Sequence, residues 1–245
     1  MQKILKESLK KLRETKPLVL CLTNYVTMDF MANSLLALGA APIMSCDDRE
    51  LEELIQMSHA ININMGTLNA EFIDRCKKVT GKPVILDPVG AGASFIRTKS
   101  ARELMVSADI IRGNASEIMA LLENENKTLG VESMHQVNDA KISANKLAEM
   151  LKCTVVVSGE EDFITDGIQL KSLMFGSPVM PLVTGMGCAL TAVIAAFRAV
   201  IPNSFEAASL ATAYFGMCGS AVHEKINKPG SFRTAFIDEL YSHEL

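Results

Sequence analysis

The stretch Val183-Thr184-Gly185-Met186-Gly187-Cys188 runs directly into Ala189-Leu190-Thr191-Ala192-Val193-Ile194-Ala195-Ala196-Phe197. Two glycines bracket one residue, and the chain then becomes almost wholly apolar and Ala-rich. This pattern predicts a Gly-rich turn that opens a buried helix. Glycine adopts positive φ without a steric penalty and lets backbone approach a ligand closely. The first amides of such a helix lack internal partners and lie at the positive end of its dipole. An anion the size of phosphate fits there. Cys188 falls on the first turn, where a helix N-terminus lowers a thiol pKa. The same letters also describe a tight turn ahead of an inert core cysteine, and on this stretch alone both readings stand.

Upstream, short apolar runs alternate with helical patterns. Residues 17–22, 60–64, 83–86, 108–111 and 153–157 read as strands. Residues 27–38, 68–79, 98–106, 115–122 and 137–151 read as helices, the first two followed by Gly39 and Gly81. Such alternation predicts parallel strands joined by crossover helices. Asp166-Gly167, between the runs 162–165 and 168–172, predicts a hairpin and an antiparallel edge to the sheet. The last third reads as helical. No Ser/Gly/Pro-rich linker and no repeat divides the 245 residues, so the expectation is one α/β domain spanning 1–245.

Composition narrows the function classes. A net charge of −4 leaves no basic footprint for nucleic acid. Lys3, Lys6, Lys10, Lys11 and Arg13 alternate with Leu5, Leu9 and Leu12, which reads as the solvated face of a first helix. No apolar run is long enough to span a membrane. The six cysteines are scattered, with no CxxC pair and no zinc-ligand spacing. With no signal peptide apparent, reduced thiols and a cytoplasmic location are expected.

Open parallel sheets bind ligands beyond the carboxyl ends of their strands. Polar clusters fall there repeatedly: Thr23-Asn24, Asn62 and Asn64 with Met65-Gly66-Thr67, Asp87-Pro88-Val89-Gly90, Arg112-Gly113-Asn114-Ala115-Ser116-Glu117, and Ser158-Gly159. Asp87 suits either a turn cap or a Mg²⁺ and phosphate site. Glu117, three residues beyond Asn114, suits either a capping box or the second acid of that metal site. Arg112 directly after a buried strand suits phosphate neutralisation. An anion hole, two acids and an Arg on one rim suit phosphoryl transfer. No Walker A motif, kinase-type Gly-rich loop or dinucleotide fingerprint is present.

Taken together, these motifs resemble the hydroxyethylthiazole kinase family of the ribokinase-like superfamily. The resemblance runs nearly end to end. It rests on Thr23-Asn24-Tyr25-Val26-Thr27, Leu35-Leu36-Ala37-Leu38-Gly39-Ala40, Pro42-Ile43-Met44 and Asn64-Met65-Gly66-Thr67. It continues through Asp87-Pro88-Val89-Gly90-Ala91-Gly92-Ala93, Arg112-Gly113-Asn114-Ala115-Ser116-Glu117, the 183–188 turn and Pro229-Gly230-Ser231-Phe232. Cys188 is the telling residue, because ribokinase-like enzymes generally carry Asp there. The resemblance implies a mostly parallel sheet flanked by helices and ATP-dependent phosphorylation of 4-methyl-5-(2-hydroxyethyl)thiazole, in thiamine supply. It places Met44, Gly185 and Asn24 at the thiazole and Arg112 and Ser158 at ATP. Asp87 and Glu117 fall at Mg²⁺, and Cys188, Gly185 and Gly187 at the reacting groups. It also implies a homotrimer with sites at subunit boundaries. The small residues between Phe205 and Val222 allow close packing either between subunits or within one. Met186 is bulkier than the Thr or Ala the family commonly carries between the glycines.

Two other readings remain at this level. One is a sister kinase for hydroxymethylpyrimidine or pyridoxal, against which Cys188 speaks. The other is a silent nucleotide-binding protein, against which the joint presence of Asp87, Arg112, Glu117 and Cys188 speaks.

Overall fold

The computed structural model describes residues 2–122 and 133–243. In chain order the first half runs α1 (Gln2–Thr15), β1 (Leu18–Leu22), α2 (Met28–Leu38), β2 (Ala41–Ile43), α3 (Leu51–Met57), β3 (Ala60–Asn64), α4 (Ala70–Lys77) and β4 (Val84–Asp87). The second half runs α5 (Phe95–Met105), β5 (Ile110–Asn114), α6 (Ala115–Leu122), α7 (Ser133–Leu151), β6 (Thr154–Ser158), β7 (Asp162–Thr165), β8 (Leu170–Leu173), α8 (Met186–Val200), α9 (Ser204–His223) and α10 (Pro229–Ser242). One eight-stranded sheet has the order β2-β1-β3-β4-β5-β6-β7-β8. It is parallel as far as β6, and β7 and β8 add an antiparallel edge.

Side chains alternate across a strand, and here the alternation sorts the chemistry. Ala60, Ile85, Ile110 and Val156 face the layer of α1, α2, α8, α9 and α10. Ile61, Leu86, Ile111 and Val155 face the layer of α3 to α7. Two residues after each inward anchor on the first face stand Asn62, Asp87, Arg112 and Ser158, with Asn64 two further on. All therefore point toward the α8 side. Leu5, Leu9 and Leu12 of α1 are buried as their spacing predicts.

Several boundaries differ from the sequence expectation, each for a local reason. Helix α4 starts at Ala70 because the Asn69 side chain accepts the Phe72 amide at 2.7 Å. Helix α5 starts earlier than expected because Ser94 caps it through the Arg97 amide. Strand β5 extends through Asn114, so Arg112, Gly113 and Asn114 lie in the strand rather than in a loop after it. They pair in register with Val156, Val157 and Ser158 of β6. Strand β2 and helix α3 are too short to show periodicity. The hairpin turn takes four residues, with Asp166 Oδ1 accepting the Ile168 and Gln169 amides.

Candidate active site at the open end of helix α8

The strand order reverses between β1 and β3, which is where open α/β sheets form their crevice. Asn24 follows β1 and Asn64 ends β3. Asn24 Nδ2 donates to Asn64 Oδ1 across that gap at 2.7 Å. Asn64 Nδ2 then donates to Asp87 Oδ2 at 2.9 Å. A cleft opens beside these loops, lined by Thr23, Tyr25, Ser45, Cys46, Thr67 and Arg75.

Asp87 is wholly buried. Its Oδ2 also accepts the Thr191 hydroxyl at 2.9 Å and stands 3.5 Å from Arg112 Nη1. Its Oδ1 has no hydrogen-bond partner among the described residues, and neither has Arg112 Nε. Burial pushes the Asp87 pKa up to about 6, the Arg112 charge pulls it back, and the Glu117 charge adds to the rise. The second terminal nitrogen of Arg112 donates to Ser158 Oγ.

Helix α8 begins under this cluster. Gly185 caps it at φ 94° in the left-handed region, with no side-chain cap bond. The first-turn amides thus have no side-chain acceptor. A Cβ on Gly187 would collide with the Arg112 guanidinium, so glycine is what lets the cation lie over the helix end. Cys188 Sγ is 3.7 Å from Asn24 Nδ2. Its thiol pKa is raised, not lowered as the helix position alone predicts. Burial is the main cause and the Asp87 charge the next, against weaker pulls from Thr27, Asn64 and Arg112.

Glu117 sits at the edge of this cluster. Its Oε2 accepts the Asn114 amide at 2.9 Å and Asn114 Oδ1 accepts the Glu117 amide at 2.9 Å, a complete capping box. Its Oε1 accepts the Gly90 amide at 2.9 Å. The structure therefore brings together Asn24, Asp87, Arg112, Ser158, Gly187 and Cys188, with Glu117 beside them. Gly185 packs against Thr27 and Phe30. Met44, just past β2, is half-buried against the core that contains α8. Sequence reasoning missed Thr191, although a hydroxyl within the apolar run 189–197 was its visible signal.

A sequence model of the hydroxyethylthiazole kinase family matches residues 9–244. This chain belongs to that family. The hydroxyethylthiazole kinase of Chlamydia felis is 49% identical over 244 residues, covering 96% of this chain and 93% of that protein. The structure of the hydroxyethylthiazole kinase protein from Pyrococcus horikoshii OT3 superposes with a TM-score of 0.90 at 37% identity. It covers 98% of this chain and 93% of its own. A ribokinase-like superfamily protein from Enterococcus faecalis V583 shares the fold, with a TM-score of 0.66 at 16% identity over 95% of this chain and 90% of its own. Family membership makes the chain a kinase with an alcohol acceptor and ATP as co-substrate. Among the described residues no helix is long and apolar enough to cross a membrane.

Proposed function

We propose that this chain transfers the terminal phosphoryl group of ATP to the hydroxyethyl group of 4-methyl-5-(2-hydroxyethyl)thiazole, for thiamine supply. One observation carries the reading: Asp87, Arg112, Ser158 and Cys188 meet at the uncapped end of α8. Arg112 and Ser158 take the nucleotide phosphates, the guanidinium offering a charge-assisted fork. The amides around Gly185 and Gly187 hold the transferring oxygens as charge spreads over them. Asn24, Gly185 and Met44 take the thiazole on the β1–β3 side of the rim. Phosphoryl transfer passes through a loose transition state, so the alcohol needs little prior deprotonation. Cys188, kept protonated by burial, positions the hydroxyl without covalent catalysis, and the alcohol proton passes late to an oxygen of the transferred phosphoryl group.

The acids fit Mg²⁺. Asp87 has one unpartnered buried oxygen, and each Glu117 oxygen accepts one amide and keeps a further lone pair. No group of three or more His, Cys, Asp or Glu side chains suited to a metal exists among the described residues. Mg²⁺ asks for only one or two carboxylates, with water and phosphate completing the shell. When bound it would neutralise charge developing on the phosphates.

The assembly we infer is a homotrimer with thiazole sites at subunit boundaries. Family likeness supports it, as do Tyr25 and Val26, 61% and 71% exposed beside Asn24. The small residues of α9 lend no support, since Gly216 faces Phe175 and Gly219 faces Met180 of the same chain. The chain acts as one domain over 1–245, in the cytoplasm, a place that suits six free cysteines. The test is ATP turnover with the thiazole alcohol, hydroxymethylpyrimidine, pyridoxal or no acceptor. Turnover with the thiazole alone is expected. Preference for another alcohol, or nucleotide binding without turnover, overturns the reading. Light scattering at monomer mass overturns the trimer.

A further inference from the structure

We propose that Arg97 is a positioning residue for this phosphoryl transfer, clamping the turns after β3 and β4 so that Asn64, Asp87 and Glu117 keep their spacing. Arg97 lies on the first turn of α5 and is half-buried. Its Nη1 donates to the carbonyls of Met65 at 2.9 Å and Val89 at 3.0 Å. Its Nη2 donates to the Gly66 carbonyl at 3.0 Å. One planar fork thus holds two separate turns of the rim, a geometry that lysine cannot reproduce with a single nitrogen.

Each gripped turn is one bond from the proposed chemistry. On the β3 side, the Gly66 amide donates to Asn64 Oδ1 at 3.1 Å, and Asn64 in turn donates to Asp87. The Met65 amide donates to the Asp87 carbonyl at 3.2 Å. On the β4 side, the turn Arg97 holds at Val89 is held by Glu117 at Gly90. Gly90 has φ +79°, and a Cβ there would stand 2.9 Å from Arg97 Cδ. The turn glycine therefore leaves room for the arginine stem. An ordinary structural arginine would need none of these four coincidences at once. What the clamp positions rests on the kinase reading above.

The experiment compares wild type with Arg97→Ala, Arg97→Lys, Glu117→Gln and the double variant Arg97→Ala/Glu117→Gln. A misplacement of about 1 Å lowers rate by about 100-fold, so kcat of Arg97→Ala should fall by about that factor while KM for the thiazole alcohol changes little. Arg97→Lys should lie between the two, and added methylguanidinium should restore a large part of the Arg97→Ala rate. Amide hydrogen exchange without substrate should rise at residues 65–66 and 89–92. The double variant should lose little beyond the worse single, because both side chains hold one turn. If Arg97→Ala does not fold, Arg97→Lys decides through the same exchange and kcat readings. Unchanged kcat, unchanged exchange at both turns, or additive losses in the double variant would overturn the proposal. An inactive wild type would instead overturn the kinase reading, and the exchange measurement would still decide whether Arg97 is the clamp.

Discussion

Helices α6 and α8 begin on the same rim of the same sheet, and their first turns are finished in opposite ways. Helix α6 is closed: Asn114 and Glu117 exchange both bonds of a capping box. Helix α8 has only a left-handed glycine and no side-chain cap. Both carry free amides and a positive dipole end. In α6 the protein's own acid answers that field. In α8 the field faces outward, with a guanidinium laid over it and a buried acid behind. The open end of α8 differs from the other side-chain-uncapped starts, those of α2, α3 and α10, in having Arg112 and Asp87 beside it, and it is there that we propose the charged substrate binds.

The comparison breaks most directly at Gly187. Gly187→Ala should stabilise or leave unchanged the helix itself, since Ala is the better helix former by about 0.5–1 kcal/mol. The new methyl must displace Arg112 from Ser158 and Asp87. A loss of about 10³ in kcat/KM is expected, the scale of losing a donor to the transferring group, and it should far exceed the loss of stability from the disturbed Arg112–Asp87 pair, which the better helix former partly offsets. Equal losses of activity and stability would mean that α8 is open by accident.

The acids near the open end sharpen the contrast through pH. Burial raises Asp162 to about 6, as it raises Asp87. A carboxyl raised on folding holds its proton more tightly in the folded chain than in the unfolded one. Stability is therefore lost as pH rises from about 4 to about 6. Asp162→Asn removes one such group. Relative to wild type it should gain on the order of 2 kcal/mol between pH 4 and pH 7. Denaturation midpoints of the two proteins across that range read it, and a constant difference would show that Asp162 does not titrate on folding.

A smaller effect is expected at Cys188. Cys188→Ala should slow single turnover by about tenfold, the low end of acid–base assistance or less, and no phospho-cysteine should be trapped. Alkylation of Cys188, read site by site because Cys46 is exposed, should be slow at neutral pH and accelerate only in alkaline solution, because its thiol pKa is raised. Rapid labelling of Cys188 itself at pH 7 would restore the helix dipole as the dominant influence there.

The smallest effect belongs to the closed end. Asn114→Ala should cost about 1 kcal/mol of stability, the usual worth of an N-cap, with kcat nearly unchanged. Circular dichroism melts and steady-state rates check it. A large loss of kcat without loss of stability would mean that Asn114, and not only the Gly90 amide, sets where Glu117 stands.

The layered sheet, the antiparallel edge and the α8 turn were all legible in the sequence, because each rests on short-range patterns: alternation, Asp166-Gly167, and glycine ahead of an apolar run. So was the choice at Glu117, though not its outcome, since a capping box and a metal acid share one spacing. The Cys188 pKa was not legible. Its sequence neighbours place it on a dipole, and only the fold buries it beside Asp87, a hundred residues upstream. Arg97 was missed for a similar reason. Its partners are backbone carbonyls, which carry no letter.

Asn64 and Asp87 are paired in register on β3 and β4, and Arg112 stands on β5, the next strand over. Neighbouring strands are spaced by about 4.8 Å, so these three groups form a row with a fixed pitch. The ladder of backbone bonds beneath them acts as a ruler that sets the distance from amide to acid to guanidinium one strand at a time. Lengthening a rim loop leaves that ruler untouched. A single extra residue inside β5 would turn its last side chains over and erase one of the marks.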